Sequence, residues 1–440
     1  MTFLDVGALW RREDSARETQ PRQPGRLLAS RAVTAPDARF VVELRPLNAC
    51  ADLVDPWLAL ARRAIEPNVF LEPGFVLPMA RHLPDANGHA AVLVWDRGNS
   101  TAVQLVGFWA MRPPYVQRPA GLVAGTDCRY ASNGAPLLDG ALAVEAASAM
   151  FARLAALNLG AGLLFRELHL DGAAARALRA AASWDGRATS ELDVYSRPCL
   201  RDHGSEDTND VDFSDVAISD LAASEDAHPD APFWSRPRYR ERMRRQARRL
   251  AQHGDVRLVS VTEPAAVRDA IELYLGLEAS GWKAARGTAI LCKDRDTAFY
   301  RCMSRALSQR GQIAVHLLEV GSRVAAAGIV LSSGDHAWFV KASYDEALAR
   351  CSPGLLATHL IAETSMTKAK VALLDTCCAP GTPAFDRAWT ERMRIGDLAI
   401  GLDDRATAAI GRNMARRRAR RVLKRCYYQL RGWPLAAGTI

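Results

Sequence analysis

The sequence predicts an α+β fold built from two tandem domains of related topology, each with a mixed central sheet flanked by helices. Three observations lead to this prediction. A chain of 440 residues is longer than one average hydrophobic core requires, so two domains are the natural expectation. Both halves run through two helices, antiparallel strands, a loop that opens a helix and a further strand, which indicates an internal repeat. An acidic stretch without helical or strand periodicity separates the halves.

The first half begins with a predicted strand at 40–47, an amphipathic helix at 51–65 and a short helix at 75–83. The period-two, aromatic-rich segments AAVLVWD and VQLVGFWAMR predict two strands. A loop over 129–139 then leads into a long Ala-rich helix at 141–158. A strand (LLFRELHL), a helix (AAARALRAAASW) and a final strand (ELDVYS) complete this half.

The second half begins with an Arg-rich helix, RPRYRERMRRQARRLAQHG, which ends at Gly254 as its C-cap. A strand, a helix from Pro264 to Glu278, the loop ASGWKAARGT and a helix near 294–309 follow. Three strands come next (IAVHLLEV, RVAAAGIVLSS and HAWFVKASY), and Gly-Ser between the first two predicts a hairpin. A polar loop, a helix, the strand VALLDTCC, a helix after Pro380 and the strand RIGDLAIGL complete the domain.

These patterns divide the chain into five segments. They are a poorly ordered tail at 1–38, a first domain at 39–200, an acidic linker at 201–232, a second domain at 233–404, and a basic helix with a loose tail at 405–440. No apolar run approaches the roughly 20 residues that span a bilayer, and the N-terminus lacks the features of a secretory signal. We therefore expect a cytoplasmic protein.

The cysteines and histidines predict neither a disulfide framework nor a metal site. The nine cysteines form no C-x-x-C pair, and many lie inside apolar runs, which is typical of reduced thiols in a cytosol. No histidine lies at ligand spacing from a cysteine, so no metal cofactor is expected. His316 and His359 occupy apolar positions and are expected in the core, and the pair Cys377-Cys378 is expected to be structural.

The segment that follows the strand HAWFVKASY has the composition of an anion site. Arg350, Ser352 and Gly354 come immediately before or at the start of a helix, where free backbone amides and the helix dipole converge. The expected donors are the Arg350 and Ser352 side chains and the amides of Gly354, Leu355 and Leu356. Proline at the position before Gly354 has no N–H and removes one donor. An ordinary helix-start turn is the alternative.

Several stretches carry a resemblance to a known family. They are LEASGWK with the following GTA, the segment KASYDE, the turn SPG at 352–354 and the loop NGAPLLD at 133–139. In order and spacing these resemble the GNAT-superfamily acyltransferases often labelled cellulose-biosynthesis proteins, which are double-GNAT chains related to Fem-type peptidoglycan aminoacyl transferases. The resemblance covers about residues 40–402. It implies two GNAT folds, acyl-CoA as donor and transfer to an amine or hydroxyl.

Within this frame the second half is expected to be catalytic, because the first half lacks the phosphate-loop pattern before its helix. Asp345, Glu346 and Asp375 lie at strand ends and are the candidate general bases for the acceptor. Strand-end carboxylates are also commonly solvated or bonded to loop amides. A backbone N–H between 340 and 343 is expected to polarise the acyl carbonyl. The general acid for the thiolate is unassigned.

Four further side chains are expected to contact the acceptor. Trp282 and Lys283 lie in a loop before the second sheet, and Lys341 and Tyr344 lie at the end of its central strand. Binding sites favour domain interfaces and strand ends, so we expect these residues and Asp345 to line a cleft between the halves. The alternative for the Trp-Lys pair is a core tryptophan beside a solvated lysine.

Three functions remain open from the sequence. The first is an acyl-CoA-dependent N- or O-acyltransferase acting by direct attack on a small-molecule or saccharide-type acceptor. The second is a Fem-like aminoacyl transferase that uses charged tRNA, with the Arg-rich helices 236–249 and 412–425 holding its phosphates. The third is a non-catalytic partner of polysaccharide synthesis. Apart from the tRNA alternative, nucleic acid is not the expected partner, because no aromatic platform accompanies the basic helices.

Overall fold

The computed structural model describes residues 39–86, 88–98, 103–112, 121–202, 216–217, 236–369, 371–379, 382, 385 and 389–430. The predicted N-terminal tail lies outside these ranges, as do most of the predicted acidic linker, nearly all of the helix predicted after Pro380 and the last ten residues of the predicted basic tail. The predictions made for those segments are therefore not addressed by the structure.

The first half contains seven strands and four helices within the described residues. In chain order these are β1 (Phe40–Pro46), α1 (Val54–Arg63), α2 (Pro73–His82), β2 (Ala90–Asp96), β3 (Gln104–Arg112), β4 (Leu122–Gly125), β5 (Leu137–Leu138), α3 (Ala143–Ala156), β6 (Gly162–His169), α4 (Ala173–Trp184) and β7 (Thr189–Arg201).

The second half repeats this order and adds a C-terminal helix. Its elements are β8 (Val216–Ala217), α5 (Pro237–Ala251), β9 (Val256–Val261), α6 (Pro264–Ala279), α7 (Trp282–Ala285), α8 (Asp294–Ser308), β10 (Ile313–Val320), β11 (Arg323–Ser333), β12 (His336–Tyr344), α9 (Pro353–Thr367), β13 (Leu373–Asp375), β14 (Arg392–Gly401) and α10 (Ala406–Leu430).

The predicted α+β class is confirmed, and most predicted elements lie within a few residues of the observed ones. The hairpin predicted between β10 and β11 forms with Val320 opposite Arg323, and Gly321 has φ of 57° in the left-handed region that favours glycine. The basic C-terminal helix is longer than predicted, because it extends backwards to Ala406.

The strands of the two halves form one continuous sheet. Along the sheet the order is β1, β2, β3, β4, β6, β14, β7, β13, β12, β11, β10, β9 and β8, and β5 pairs with β3 at the side. The sheet is mixed, because β4–β6 and β12–β13 pair parallel while the other neighbours pair antiparallel. The two predicted mixed sheets are thus joined edge to edge.

The join is made by an exchange of strands that the sequence did not indicate. β14 belongs to the second half by sequence but lies between β6 and β7 of the first half. β7 is long enough to pair with β14 over most of its length and with β13 over Cys199–Arg201. Each half therefore completes the hydrogen-bond ladder of the other.

Side chains from both halves share one hydrophobic core. Phe70 contacts Trp338 with ring centroids 5.6 Å apart, and Phe75 contacts Phe299 at 5.4 Å, both edge to face. The buried carboxylate of Glu72 accepts hydrogen bonds from Ser333 and from Gln312, the latter at 2.7 Å. Burial raises the pKa of Glu72, although the hydrogen bonds from Ser333 and Gln312 act in the opposite direction.

The cysteines whose side chains the structure describes are all free thiols. His316 and His359 are buried as predicted, and burial lowers the pKa of each to about 4. In the described part of the chain, no helix is both long enough and apolar enough to cross a membrane.

Candidate functional site

The central feature of the second half is an opening between β12 and β13. These parallel strands pair only from His336 opposite Leu373 to Trp338 opposite Asp375. The register of β12 against β11 then shifts. Phe339 pairs with Val330 and Lys341 pairs with Ile329, so Val340 is an extra residue without a partner on β11. Such a bulge bends a strand away from its neighbour. Beyond Trp338, no described strand pairs with the edge of β12 that faces β13.

Helix α9 begins beside this opening. The segment predicted as a polar loop forms a 3₁₀ helix over Glu346–Cys351. Ser352 then adopts a left-handed conformation with φ of 51° and ψ of 48°, and Pro353 is the first residue of α9. A non-glycine residue with positive φ is uncommon, and such strain concentrates at functional sites. Here it turns the chain sharply, so that α9 starts next to the end of β12.

The start of α9 offers fewer free amides than predicted. The Leu355 and Leu356 amides both donate to the Ser352 carbonyl, at 3.1 and 3.2 Å, because the first turn of the helix closes on that oxygen. Gly354 is the predicted donor whose amide has no acceptor among the described residues. The amides of Leu355 and Leu356, both predicted donors to the anionic ligand, are thus already engaged within the helix.

Gly354 lies in close contact with Tyr344. A Cβ atom placed on Gly354 would lie 3.1 Å from Cδ1 of the Tyr344 ring, which is tighter than ordinary van der Waals contact. Tyr344 itself is 37% exposed and covers this part of the helix. Glycine at 354 therefore lets the backbone of α9 approach the end of β12.

Positive charge is carried by Arg350, just before the helix start, and by helix α5, which packs against α9. Arg350 is exposed and has no ion-pair partner among the described residues. Helix α5 packs its apolar face, which includes Met243 and Leu250, against α9 and the 3₁₀ helix. Its other face carries exposed arginines at Arg238, Arg242, Arg245, Arg248 and Arg249. Clustered charge of one sign raises the local concentration of anionic ligands.

The three predicted general bases have different surroundings. Asp345 caps the 3₁₀ helix by accepting from the Ala347 amide at 2.9 Å, and it also forms an ion pair with Arg323. Asp375 is 4% exposed and forms an ion pair with the buried Arg197 at 3.0 Å. Both carboxylates are therefore held by structural partners.

Glu346 is the third candidate and is exposed. Its Oε1 atom accepts from the Trp282 amide at 2.6 Å, while Oε2 has no partner among the described residues. A Cβ on Gly281 would lie 2.8 Å from the same Oε1, so a side chain at this position would displace the Glu346 carboxylate. Glu346 thus anchors the Trp-Lys loop to the end of β12 and keeps one oxygen available.

The Trp-Lys loop forms the short helix α7 at the edge of the opening. Trp282 is 49% exposed, and the Arg286 guanidinium lies 4.9 Å from its ring centroid. Lys283 points towards the protein: its Nζ atom donates to Oε1 of Glu278 at 2.8 Å and to the Ala342 carbonyl on β12 at 3.4 Å. The loop and the end of β12 are therefore in contact, as the predicted cleft requires.

Glu278 is a site residue that the sequence reasoning missed. It is 2% exposed, and its second oxygen accepts from the Ile290 amide at 2.9 Å. Burial opposes its ionised form, but Lys283 and the Ile290 amide outweigh that effect and lower the pKa of Glu278. A signal was present, because Glu278 continues the buried stripe of α6 that includes Tyr274 and Leu275.

Lys341 lies where the two halves meet. Its Nζ atom is 5.3 Å from the ring centroid of Tyr130, which belongs to the first half. The Tyr130 hydroxyl donates to the buried Asp296 at 2.7 Å, and Arg129 donates to the same carboxylate at 2.9 Å. Burial lowers the pKa of Lys341, and the charge of Glu278 opposes this effect. Tyr130 of the first half therefore contacts the end of β12 in the second half.

The corresponding region of the first half is filled by protein. Here β4 and β6 pair parallel from Leu122 opposite Gly162 to Ala124 opposite Leu164. Beyond that point the Gly134 amide donates to the Arg166 carbonyl on β6 at 3.0 Å. A Cβ on Gly134 would lie only 2.5 Å from that oxygen, so the loop lies directly on the strand.

A small pocket lies on the seam between the halves. Of the predicted site residues only Asp375 lines it, together with Glu66, Ser132, Asn133, Glu167, His169, His336, Trp338, Leu373, Met393 and Ile395. In the described residues, no group of three or more His, Cys, Asp or Glu side chains is arranged to hold a metal ion. Cys377 and Cys378 lie next to Asp375, and burial raises the pKa of both thiols, which disfavours a thiolate nucleophile.

Comparison with known proteins supports the family prediction at the level of the fold. Residues 237–381 match the family model of the acetyltransferase (GNAT) domain. No curated protein sequence matches the chain significantly. The predicted GNAT resemblance is thus confirmed for the second half, while the narrower relationship to cellulose-biosynthesis proteins stays a prediction.

Several solved structures are similar in fold and distant in sequence. They include the C-terminal DUF2156 domain from Agrobacterium fabrum, which is 12% identical with a TM-score of 0.45, covering 83% of this chain and 96% of that one. FemX is 11% identical with a TM-score of 0.44, covering 79% and 95%. A tandem GNAT protein from the clavulanic acid biosynthesis pathway is 13% identical with a TM-score of 0.35, covering 82% and 99%. Similarities of this size do not carry a function from those proteins to this chain.

Proposed function

We propose that this protein is an acyl-CoA-dependent acyltransferase that transfers an acyl group to an amine or hydroxyl by direct attack. The observation that carries the proposal is the opening between β12 and β13 beside the start of α9. An unpaired strand edge and a helix N-terminus at one place suit a ligand with both a carbonyl and a phosphate group. The match of residues 237–381 to the GNAT acetyltransferase domain supports the same reading.

The donor's pyrophosphate lies at the start of α9 in this proposal. The Gly354 amide, the Ser352 hydroxyl and the Arg350 guanidinium are the groups that would hold it. Their chemistry fits, because phosphate oxygens accept charge-assisted hydrogen bonds from a guanidinium and bonds from helix-start amides. Arg350 and the left-handed Ser352 immediately precede α9, and Gly354 lies in its first turn, so the three groups are close together along the chain.

The thioester carbonyl lies along the unpaired edge of β12 near Val340. A backbone N–H there stabilises the negative charge that develops on the carbonyl oxygen. The acceptor nitrogen or oxygen attacks the carbonyl carbon, the bond between carbon and sulfur breaks, and CoA leaves as its thiolate. Glu346 takes the acceptor's proton, because it is the predicted carboxylate with an oxygen still available.

The acceptor enters between the halves, where Trp282, Lys283, Lys341 and Tyr130 converge. The aromatic rings suit an acceptor that carries sugar rings, and the Lys341 ammonium, which forms no ion pair with a described residue, suits an acceptor carboxylate. The sequence resemblance to cellulose-biosynthesis proteins supports a saccharide-type acceptor. Because acyl-CoA is a cytoplasmic metabolite, the proposal places the reaction in the cytoplasm.

A thermal-shift panel of CoA, acetyl-CoA and longer acyl-CoAs tests the donor. We expect a saturable rise in melting temperature, since a ligand that binds only the native state stabilises it. Arg350→Ala should abolish the rise, whereas Arg81→Ala, a matched control at an exposed arginine of the first half, should leave it unchanged. Absence of any shift at about millimolar acyl-CoA, roughly the level at which weak donors bind, would reject the proposal and favour a non-catalytic partner of polysaccharide synthesis.

A second function is favoured by one observation, the row of exposed arginines on α5, the helix that packs against α9 and the 3₁₀ helix before it. In this alternative the donor is a charged tRNA, whose backbone phosphates contact α5. Binding of bulk tRNA should then fall steeply with salt, because each phosphate contact releases a counterion. Filter binding at two salt concentrations, with Arg242→Ser/Arg245→Ser as the test variant, separates this alternative from acyl-CoA. A weak response that does not depend on salt would remove it.

A further inference from the structure

The C-terminal helix α10 has one face fixed on the sheet. Ala409 and Ile410 are buried, and Met414 packs against the same small apolar cluster above β14, β6 and β4. One to two turns later Arg417 forms an ion pair with the buried Asp397 at 2.6 Å and a second one with Asp193. The inward side of α10 is therefore defined as far as Arg417.

The opposite side of the same helix is apolar and exposed. We call Ala415, Ala419, Val422 and Leu423 the outer stripe. These residues follow the spacing i, i+4, i+7 and i+8, so they share one helix face, and it lies opposite the face that holds Ile410 and Arg417. Val422 is 61% exposed and Leu423 is 62% exposed, which makes them the most exposed aliphatic side chains described in the chain. The sequence continues the spacing with Cys426 and Leu430.

Basic side chains border the outer stripe on both sides. Arg416, Arg418 and Arg420 are exposed, and at about 100° per residue they fall on either side of the stripe. A central apolar stripe with positive borders is thus present on a face whose described side chains are exposed.

We propose that this end of α10 binds the surface of an anionic lipid bilayer. The outer stripe enters the boundary between headgroups and acyl chains, and the bordering arginines contact lipid phosphates. Two other occupants fit less well. Nucleic acid phosphates would use the arginines but have no contact for exposed Val422 and Leu423. A second copy would bring two arginine-rich borders together, which costs free energy. The inference does not depend on the acyl-transfer reaction.

Vesicle co-sedimentation of the full chain tests this inference. The probes are vesicles of phosphatidylcholine alone and of phosphatidylcholine with about one third phosphatidylglycerol, a composition that gives a negative surface potential. We expect binding to the anionic vesicles only. Removing one basic residue near the surface should weaken partitioning by about fivefold, so Arg418→Ser/Arg420→Ser should weaken it by at least about tenfold. Val422→Glu/Leu423→Glu should abolish it.

Matched controls separate this surface from general charge or exposed apolar area. Val103→Glu/Leu273→Glu changes side chains that are 58% and 51% exposed elsewhere, and Arg242→Ser/Arg245→Ser removes two arginines from α5. Neither should alter vesicle binding. Because Val422 and Leu423 are exposed, their variant should keep the parental melting temperature.

Three outcomes would overturn the inference. One is equal binding of parent and Val422→Glu/Leu423→Glu to anionic vesicles. Another is a concentration-dependent dimer, seen by light scattering, that the same variant converts to monomer while vesicles are not bound. The third is salt-dependent binding of tRNA or duplex DNA that requires Arg418 and Arg420, again without vesicle binding.

Discussion

Substitution of Lys283 by methionine should destabilise the protein in a pH-dependent way. In the native state Lys283 neutralises Glu278, whose side chain is 1% exposed, across 2.8 Å. Removing one partner of a buried pair leaves an uncompensated charge and typically costs about 3–5 kcal/mol. We expect about 3 kcal/mol near pH 8, because the Lys283 side chain is itself 24% exposed and water reaches that end of the pair.

The pH dependence follows from the direction of the shift at Glu278. Its pKa is lowered in the native protein, so its contribution to stability is present above the unfolded-state pKa and is lost as pH falls through the native pKa. Without Lys283, we expect burial to outweigh the Ile290 amide and the Lys341 charge, so that the pKa of Glu278 rises. The variant's carboxyl then takes up a proton as pH falls, so the loss of stability should shrink between about pH 8 and about pH 5.

Urea denaturation of parent and variant at both pH values measures these differences, provided the slope of the transition is unchanged. Glu278→Gln/Lys283→Met should be less destabilised than Lys283→Met near pH 8, because it carries no unpaired charge. Arg301→Met is the matched control: its pair with Glu272 is about half exposed on both sides, and such pairs contribute at most about 1 kcal/mol. The reasoning would be refuted if Lys283→Met lowered the free energy of unfolding by no more than Arg301→Met does. It would also be refuted if the loss caused by Lys283→Met did not change with pH.

Three further outcomes are expected. Gly354→Ala should weaken acyl-CoA binding at least about tenfold in thermal-shift titrations, because the new Cβ would lie only 3.1 Å from the Tyr344 ring. The control Gly276→Ala places its Cβ where it meets no neighbouring atom within 4 Å and should leave binding unchanged. Glu346→Gln keeps an acceptor for the Trp282 amide but removes the general base, so the turnover rate should fall about 100-fold or more. A turnover rate equal to the parent's would show that Glu346 only anchors the Trp-Lys loop. Tyr130→Phe should cost about 1–3 kcal/mol in denaturation experiments, since it removes a hydrogen bond to a buried carboxylate, and a smaller cost would show that water replaces the hydroxyl.

The sequence predicted most elements of the fold because their signals are local. The amphipathic period of α6, the hairpin at Gly321 and the Pro353 that begins α9 each depend on residues within a few positions. The strand exchange depends on no local signal. β14 satisfies the same alternation of side chains whether it lies beside β7 or beside β13, so the pattern predicts a strand but not its neighbours.

The candidate site was predictable only in part for a similar reason. Residues on β12 and in the Trp-Lys loop could be placed near one another from the order of elements. The ion-pair partners that decide the roles of the carboxylates could not be predicted. Asp345 pairs with Arg323 and Asp375 pairs with Arg197, and both arginines come from other parts of the sequence. A carboxylate's availability as a base depends on such partners, and sequence spacing does not reveal them.

The strand exchange gives the first half a direct part in the site. Because β14 lies between β6 and β7, and β7 also pairs with β13, the halves cannot rotate apart without breaking backbone hydrogen bonds. Tyr130 is therefore held against Lys341 by the sheet itself as well as by its bond to Asp296. In the proposed reaction, a wall fixed in this way needs no closing motion to meet the acceptor. The first half would then determine acceptor shape, although its own strand opening is filled at Gly134.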